Sequence, residues 1–158
     1  MNTIDIFFEQ DNASYRWHKQ KLDVRFFKNR LSKYLDIADS DVELIIETNG
    51  SRFDADLLQR FKNLKVVLKV DACGKHQEYI RPGIQWTDIQ NTINTLSKNN
   101  IDFAIQPVLS VYNILNINGL ENYCKDNDYK MHKPTLIHSP QVLRPNNLPY
   151  QLKPQVPL

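Results

Sequence analysis

Leu44-Ile45-Ile46-Glu47-Thr48-Asn49-Gly50-Ser51 is an apolar run that stops on polar side chains and a glycine. Val66-Val67-Leu68-Lys69-Val70-Asp71 does the same about twenty residues later, and Phe103-Ala104-Ile105-Gln106-Pro107-Val108-Leu109-Ser110 repeats the pattern. Short apolar runs bounded by turn residues read as buried strands. Three of them, each closing on polar residues and separated by helical patterns, predict a parallel sheet with a site along one edge. Parallel sheets bind ligands at the carboxyl ends of their strands.

Between these runs the apolar spacing changes from two to three and four. Asp23 to Ile37 reads as a helix through Val24, Phe27, Leu31, Tyr34 and Leu35. Phe53 to Asn63 reads as a second, with Asp54 as its cap and Leu57, Leu58 and Phe61 on its packing face. Trp86 to Asn99 is a third, with Thr87 as cap and Ile89, Ile93 and Leu96 as its stripe. Val111 to Lys125 is a fourth, interrupted by Asn118-Gly119. A side chain recurs on one helix face at these spacings. Thr3 to Phe8 and Pro134 to His138 read as short flanking strands, and residues 72–85 as a binding loop.

Strands alternating with helices over short connections imply right-handed βαβ units. The fold class expected is α/β: a parallel-sheet partial barrel of about four to five strands with helices on its outer face. Residues 1–25 are hard to place, residues 26–139 hold the barrel, and residues 140–158 form an extended tail that wraps the domain. Six of the eight prolines lie beyond residue 130. A proline lacks an amide donor, so that segment is neither a regular helix nor a central strand.

The chain has 158 residues, 41% hydrophobic and 24% charged, which suffices for one domain with a real core. A net charge of +2 calls for neither nucleic acid nor an anionic membrane as partner. No apolar stretch approaches the ~20 residues that span a bilayer, and Met1 to Ile6 lacks the pattern of a signal peptide. A cytoplasmic location is the expectation. Two cysteines, Cys73 and Cys124, argue for reduced thiols rather than a disulfide scaffold.

Alternation along a strand sends Val67, Lys69 and Asp71 to one face, and Ala104, Gln106, Val108 and Ser110 to the matching face. Thr48, Asn49, Lys69, Asp71, Gln106 and Ser110 would then ring the mouth of a barrel. A lysine two residues before an aspartate inside a sheet is costly unless paired. An ion pair of Lys69 with Asp71 or Glu47 and a ligand contact both answer that cost. Arg81 either clamps an anion or pairs with Glu78 or Asp88. Cys73 and His76 are two possible zinc ligands where a site takes about four. Gly50-Ser51 lacks the glycine pattern or the lysine of a nucleotide loop.

With these residues in view, the chain resembles the C-terminal half of twitch-domain radical S-adenosylmethionine (AdoMet) proteins of bacteria and phages. Glu47-Thr48-Asn49-Gly50-Ser51 is similar to the family's "TNGS" strand end, and Lys69-Val70-Asp71 sits where the family has "SxD". Glu78-Tyr79-Ile80-Arg81, Gly83 and Trp86 resemble its "EYIRxGxxW" segment. Val108 to Leu115 is similar to "TVSxxNxxxL", and Leu143 to Pro149 to "LRxxxLP". The resemblance spans roughly residues 26–153. It implies that Thr48, Asn49, Lys69, Asp71, Gln106 and Asn113 bind AdoMet and that Arg81 and Ser110 meet substrate.

The departures are as informative as the matches. The C-x3-C-x2-C motif that ligates the family's 4Fe–4S cluster is absent, as is its "GGEP" segment, and Lys69 stands where the family has a small serine. The cofactor carries such chemistry, not the fold. The resemblance therefore implies a truncated or split radical-AdoMet protein, inactive as an isolated chain. Its open sheet edge calls for a separate N-terminal half or a second copy as partner. The alternative is a binding module without chemistry.

Overall fold

The structure is a computed structural model, and it describes residues 3–7, 32–38, 41, 43–51 and 55–155. Its strands are β1 (Thr3–Phe7), β2 (Glu43–Thr48), β3 (Leu64–Leu68), β4 (Asp102–Ile105), β5 (Val108–Leu109) and β6 (Thr135–Leu136). Its α-helices are α1 (Ala55–Leu58), α2 (Gly74–Ile80), α3 (Trp86–Lys98) and α4 (Ile117–Asp126). Two compact units share these elements. Residues 1–68 and 87–103 make the first, and residues 69–86 and 104–158 the second. The chain is α/β with parallel strand pairs, as its alternating pattern predicts.

In the first unit β1 pairs with β2, and β2 with β3, both parallel, in a sheet of order β1-β2-β3-β4. Leu44, Ile46 and Thr48 of β2 are buried while their neighbours are half-buried, the period of two that a strand imposes. Val66, Val67 and Leu68 of β3 are all buried, so both faces of that strand are covered, as in a parallel sheet clad by helices. The predicted stripe of α3 is the observed one: Ile89, Ile93 and Leu96 are fully buried.

The end of α3 shows how sequence stops a helix. Asn100 adopts a left-handed φ of 53°. Its N–H donates to the Ser97 carbonyl at 3.1 Å, and the Ile101 N–H to the Leu96 carbonyl at 3.0 Å. This is the Schellman arrangement, which satisfies the last carbonyls and turns the chain directly into β4. In the second unit α4 ends the same way. Asp128 takes φ 56°, with its N–H on the Lys125 carbonyl at 3.2 Å and the Tyr129 N–H on the Cys124 carbonyl at 2.8 Å.

The second unit holds a two-stranded parallel sheet, β5 with β6, in which Val108 faces Thr135 and Leu109 faces Leu136. The expected strand over residues 101–110 is broken at Gln106-Pro107 into β4 and β5. Pro107 has no N–H to give, but its carbonyl accepts from Thr135 at 3.0 Å, so the ladder to residues 130–137 resumes beyond it. Ile105 bridges Met131 on the near side of the break.

Four expectations change. Residues 72–85 are not a loop throughout, because Gly74–Ile80 is helical. The predicted fourth helix starts at Ile117 rather than Val111, with turns over residues 111–116. Among the described residues of Phe53 to Asn63, the helix is the four-residue α1. Where extended chain was expected beyond residue 140, three 3-10 helices lie at Gln141–Leu143, Pro145–Asn147 and Tyr150–Gln155. The proline φ near −65° suits such turns as well as it suits extended chain. Of the first predicted helix, Ser32–Ile37 is a 3-10 helix. The rest of it and the Asp54 cap lie outside the described residues.

Candidate functional site

Thr48 and Asn49 belong to the first unit, where they build the turn that ends β2. The Gly50 N–H donates to Thr48 Oγ1 at 3.3 Å, and the Ser51 N–H and Oγ donate to Asn49 Oδ1 at 3.1 and 2.8 Å. Such side-chain acceptors replace the backbone partners that a strand loses at its end. Gly50 takes φ 71°, and a Cβ there would lie 3.3 Å from Leu68 Cδ2. The Thr92 hydroxyl of α3 donates to the Gly50 carbonyl at 2.7 Å and locks the turn from outside. At the opposite end of these strands is a cleft of about 420 Å³, lined by the starts of β2, β3 and β4 and by the amides of Asn63, Asn99 and Asn100.

Lys69, Asp71, Arg81, Gln106, Ser110 and Asn113 all belong to the second unit, where hydrogen bonds join Lys69 to Gln106 and gather Asp71, Arg81, Ser110 and Asn113 into an array. Lys69 is 8% exposed and donates from Nζ to Gln106 Oε1 at 2.6 Å. Asp71 is 4% exposed, with both carboxylate oxygens engaged. Oδ2 accepts from Arg81 Nε at 2.7 Å, and Oδ1 accepts from the Val108 N–H at 2.8 Å. The cation paired with Asp71 is thus Arg81, ten residues downstream.

Asn113 closes the array. Its Nδ2 donates to the Asp71 carbonyl at 2.9 Å and the Val108 carbonyl at 3.0 Å. Its Oδ1 accepts from the Ser110 N–H at 2.8 Å and the Ser110 hydroxyl at 3.3 Å. One buried amide therefore joins two strand ends and the turn after β5. An asparagine has two donors and one oxygen with two lone pairs, and all are used.

Sequence reasoning misses Gln77. It is fully buried on α2, and its Oε1 accepts from the Asp71 N–H and the Ala72 N–H, both at 2.9 Å. Its Nε2 is buried without a hydrogen-bond partner among the described residues. The one available signal was a glutamine inside Gly74-Lys75-His76-Gln77-Glu78-Tyr79-Ile80, too short a stretch to show a helical stripe. The residues around it are architectural too. Glu78 Oε1 accepts the Trp86 N–H at 2.9 Å, so Glu78 rather than Thr87 serves the start of α3. Gly83 takes φ 95° in the intervening turn. The Trp86 ring meets Tyr123 edge-on at 5.3 Å.

His76 Nε2 lies 2.8 Å from the Tyr112 carbonyl, and Cys73 Sγ lies 3.9 Å from the Gly119 carbonyl. No group of three or more His, Cys, Asp or Glu with metal-binding geometry occurs among the described residues. No helix among them is long and apolar enough to cross a membrane.

No protein-family model and no curated protein matches the chain. Solved structures do. Native anSMEcpe with bound AdoMet superposes with a TM-score of 0.56 at 16% identity, covering 72% of this chain and 34% of that one. Native anSMEcpe with bound AdoMet and Kp18Cys peptide gives a TM-score of 0.58 at 15% identity, covering 86% and 38%. The complex with Cp18Cys peptide gives 0.55 at 18% identity. The chain shares the fold of part of anSMEcpe. It spans roughly a third of the length of these structures, and at such identities the likeness concerns the fold.

Proposed function

We propose that this chain is the AdoMet- and substrate-site portion of a radical-AdoMet-like partial barrel and does not itself ligate the 4Fe–4S cluster. The observation that carries the reading is the shared fold with AdoMet-bound anSMEcpe, in a chain whose strand ends also resemble that family's motifs. In the second unit Lys69, Asp71, Gln106 and Asn113 would meet the cosubstrate, and Arg81 and Ser110 the substrate; for Thr48 and Asn49 of the first unit the cosubstrate role rests on the family resemblance alone. The chain's two cysteines fall short of a cluster's thiolate ligands, so no electron transfer is assigned to it. A partner, an N-terminal half or a second copy, would pair with β1, whose neighbour among the described strands is β2.

A second reading is favoured by the hydrogen bonds themselves. Asp71 and Asn113 spend their polar atoms on the protein, as a binding module that has lost its chemistry would. Calorimetric titration of the whole chain with AdoMet separates the two. Saturable one-to-one binding, with neither stoichiometric iron and sulfide after anaerobic reconstitution nor AdoMet cleavage, supports the first. Absence of binding leaves the module, and a reconstituted cluster that cleaves AdoMet overturns the assignment of an inactive chain.

A further inference from the structure

We propose that Asn49-Gly50 is a self-modification site, at which the turn closing β2 promotes deamidation of Asn49 through a cyclic succinimide. This inference is independent of any AdoMet site. The reaction joins an asparagine's side-chain carbon to the amide nitrogen of the next residue, so the reacting atoms are chain neighbours. Glycine at that next position has no Cβ to crowd the attack. The sequence holds this dipeptide twice, at Asn49-Gly50 and at Asn118-Gly119. The fold treats the two differently.

Asn49 lies just past the end of β2, half-buried and outside any helix. Its Oδ1 accepts from the Ser51 N–H at 3.1 Å and from the Ser51 hydroxyl at 2.8 Å. The side chain is therefore folded forward along the chain, toward the peptide group of Gly50 that it must meet. Two donors on one carbonyl oxygen also stabilise the negative charge that gathers there when the carbon is attacked. The Gly50 N–H makes a long contact, 3.3 Å to Thr48 Oγ1, so little is lost when its proton leaves. The Thr92 hydroxyl holds the Gly50 carbonyl at 2.7 Å and keeps the turn in this form. Asn118, by contrast, is exposed in the first turn of α4. A helical side chain leans back toward the helix N-terminus, away from the following amide. The Gly119 N–H is engaged with the Asn116 carbonyl at 3.1 Å. Exposure alone favours Asn118, and the backbone favours Asn49.

A solvent base takes the Gly50 amide proton, and the nitrogen forms a bond to Asn49 Cγ. Charge collects on Oδ1, between the two Ser51 donors. The Cγ–Nδ2 bond then breaks, and Nδ2 leaves as ammonia with a proton from water. Water opens the succinimide ring at either carbonyl. Opening at one gives aspartate, and opening at the other gives isoaspartate, whose main chain runs through the former side chain. One water is consumed and one ammonia released, and nothing is oxidised or reduced. The aspartyl product keeps an acceptor for Ser51 and adds a negative charge at the end of β2. The isoaspartyl product lengthens the turn by one backbone carbon.

The test is incubation of the folded whole chain in mildly alkaline buffer, with peptide mapping by mass spectrometry at intervals and isoaspartate detected by enzymatic methylation. Asn49 should convert to aspartate and isoaspartate at least about tenfold faster than Asn118, within what an oriented oxyanion donor supplies. In urea both dipeptides lose their surroundings, and the two rates should converge. Ser51→Ala, checked for folding by circular dichroism, removes the hydroxyl donor and keeps the N–H. It should slow Asn49 about fivefold, the worth of one net hydrogen bond, and leave Asn118 unchanged. No conversion at Asn49 in the folded chain, or conversion at Asn118 that is as fast or faster, overturns the proposal. So does a rate ratio that urea leaves unchanged, or a folded Ser51→Ala chain that deamidates Asn49 at the native rate.

Discussion

Arg81 Nε stands 2.7 Å from Asp71 Oδ2, and the other oxygen of that carboxylate holds the Val108 N–H at 2.8 Å. A single buried aspartate thus joins the end of α2 to the start of β5. Removing one partner of a buried pair costs more than the pair contributes, because the other charge is left uncompensated. Arg81 keeps about a fifth of its side chain in solvent, which moderates that penalty.

Asp71→Asn retains an acceptor for Val108 but not the charge for Arg81. We expect a loss of about 2 kcal/mol in urea unfolding, below the ~3–5 kcal/mol of fully buried pairs. An unchanged midpoint would show that the pair is energetically idle.

Gln77→Met should cost about 2–4 kcal/mol, since it strands the N–H groups of Asp71 and Ala72, each worth ~1–3 kcal/mol when buried without a partner. Gln77→Glu keeps the acceptor and removes the orphaned Nε2, so it should destabilise less than Gln77→Met in the same titration. Equal losses would contradict the assigned role of the oxygen.

Gly50→Ala meets a positive φ and a methyl group 3.3 Å away on Leu68. The backbone term alone is about 1–2 kcal/mol. Thermal unfolding should show a lower midpoint, and Gly119→Ala, in a helix with open space, should show none of this loss.

Lys69→Ser restores the small residue of the family-like strand end. On the proposed function it should raise AdoMet affinity about tenfold, ~1.4 kcal/mol, by removing a cation near the sulfonium. Calorimetry showing weaker binding would assign Lys69 to the ligand's carboxylate instead.

Cys73 and Cys124 have pKa values raised from an ordinary 9.0 to about 11, first by burial. The unfolded chain then ionises these thiols before the folded one does. Their contribution to stability is full below pH 9 and is lost as pH rises toward 11. Urea midpoints measured across that window should fall more steeply for the native chain than for Cys73→Ser.

The chain's local chemistry was legible where it is repetitive. The β2 strand ends on Thr48, and α3 runs from Trp86 to Lys98 on the stripe Ile89, Ile93 and Leu96, because burial on one face imposes a readable period. The end of that helix was readable too, expected at Asn99 and found at Lys98. The α2 helix was not readable, because seven residues are too few for periodicity and its anchor is one glutamine bonded to a neighbouring strand end.

The sequence by itself determined the alternating α/β order and the polar strand ends. Tertiary structure decided what those polar groups do. Asp71 could have met Lys69, a ligand or Arg81, and spacing along the chain does not rank them. The choice fell to Arg81 because the turn at Gly83 and the Glu78–Trp86 contact fix the chain around it, and because Val108 and Asn113 arrive from more than thirty residues away. A buried carboxylate takes its partners from whatever the fold brings within hydrogen-bonding distance.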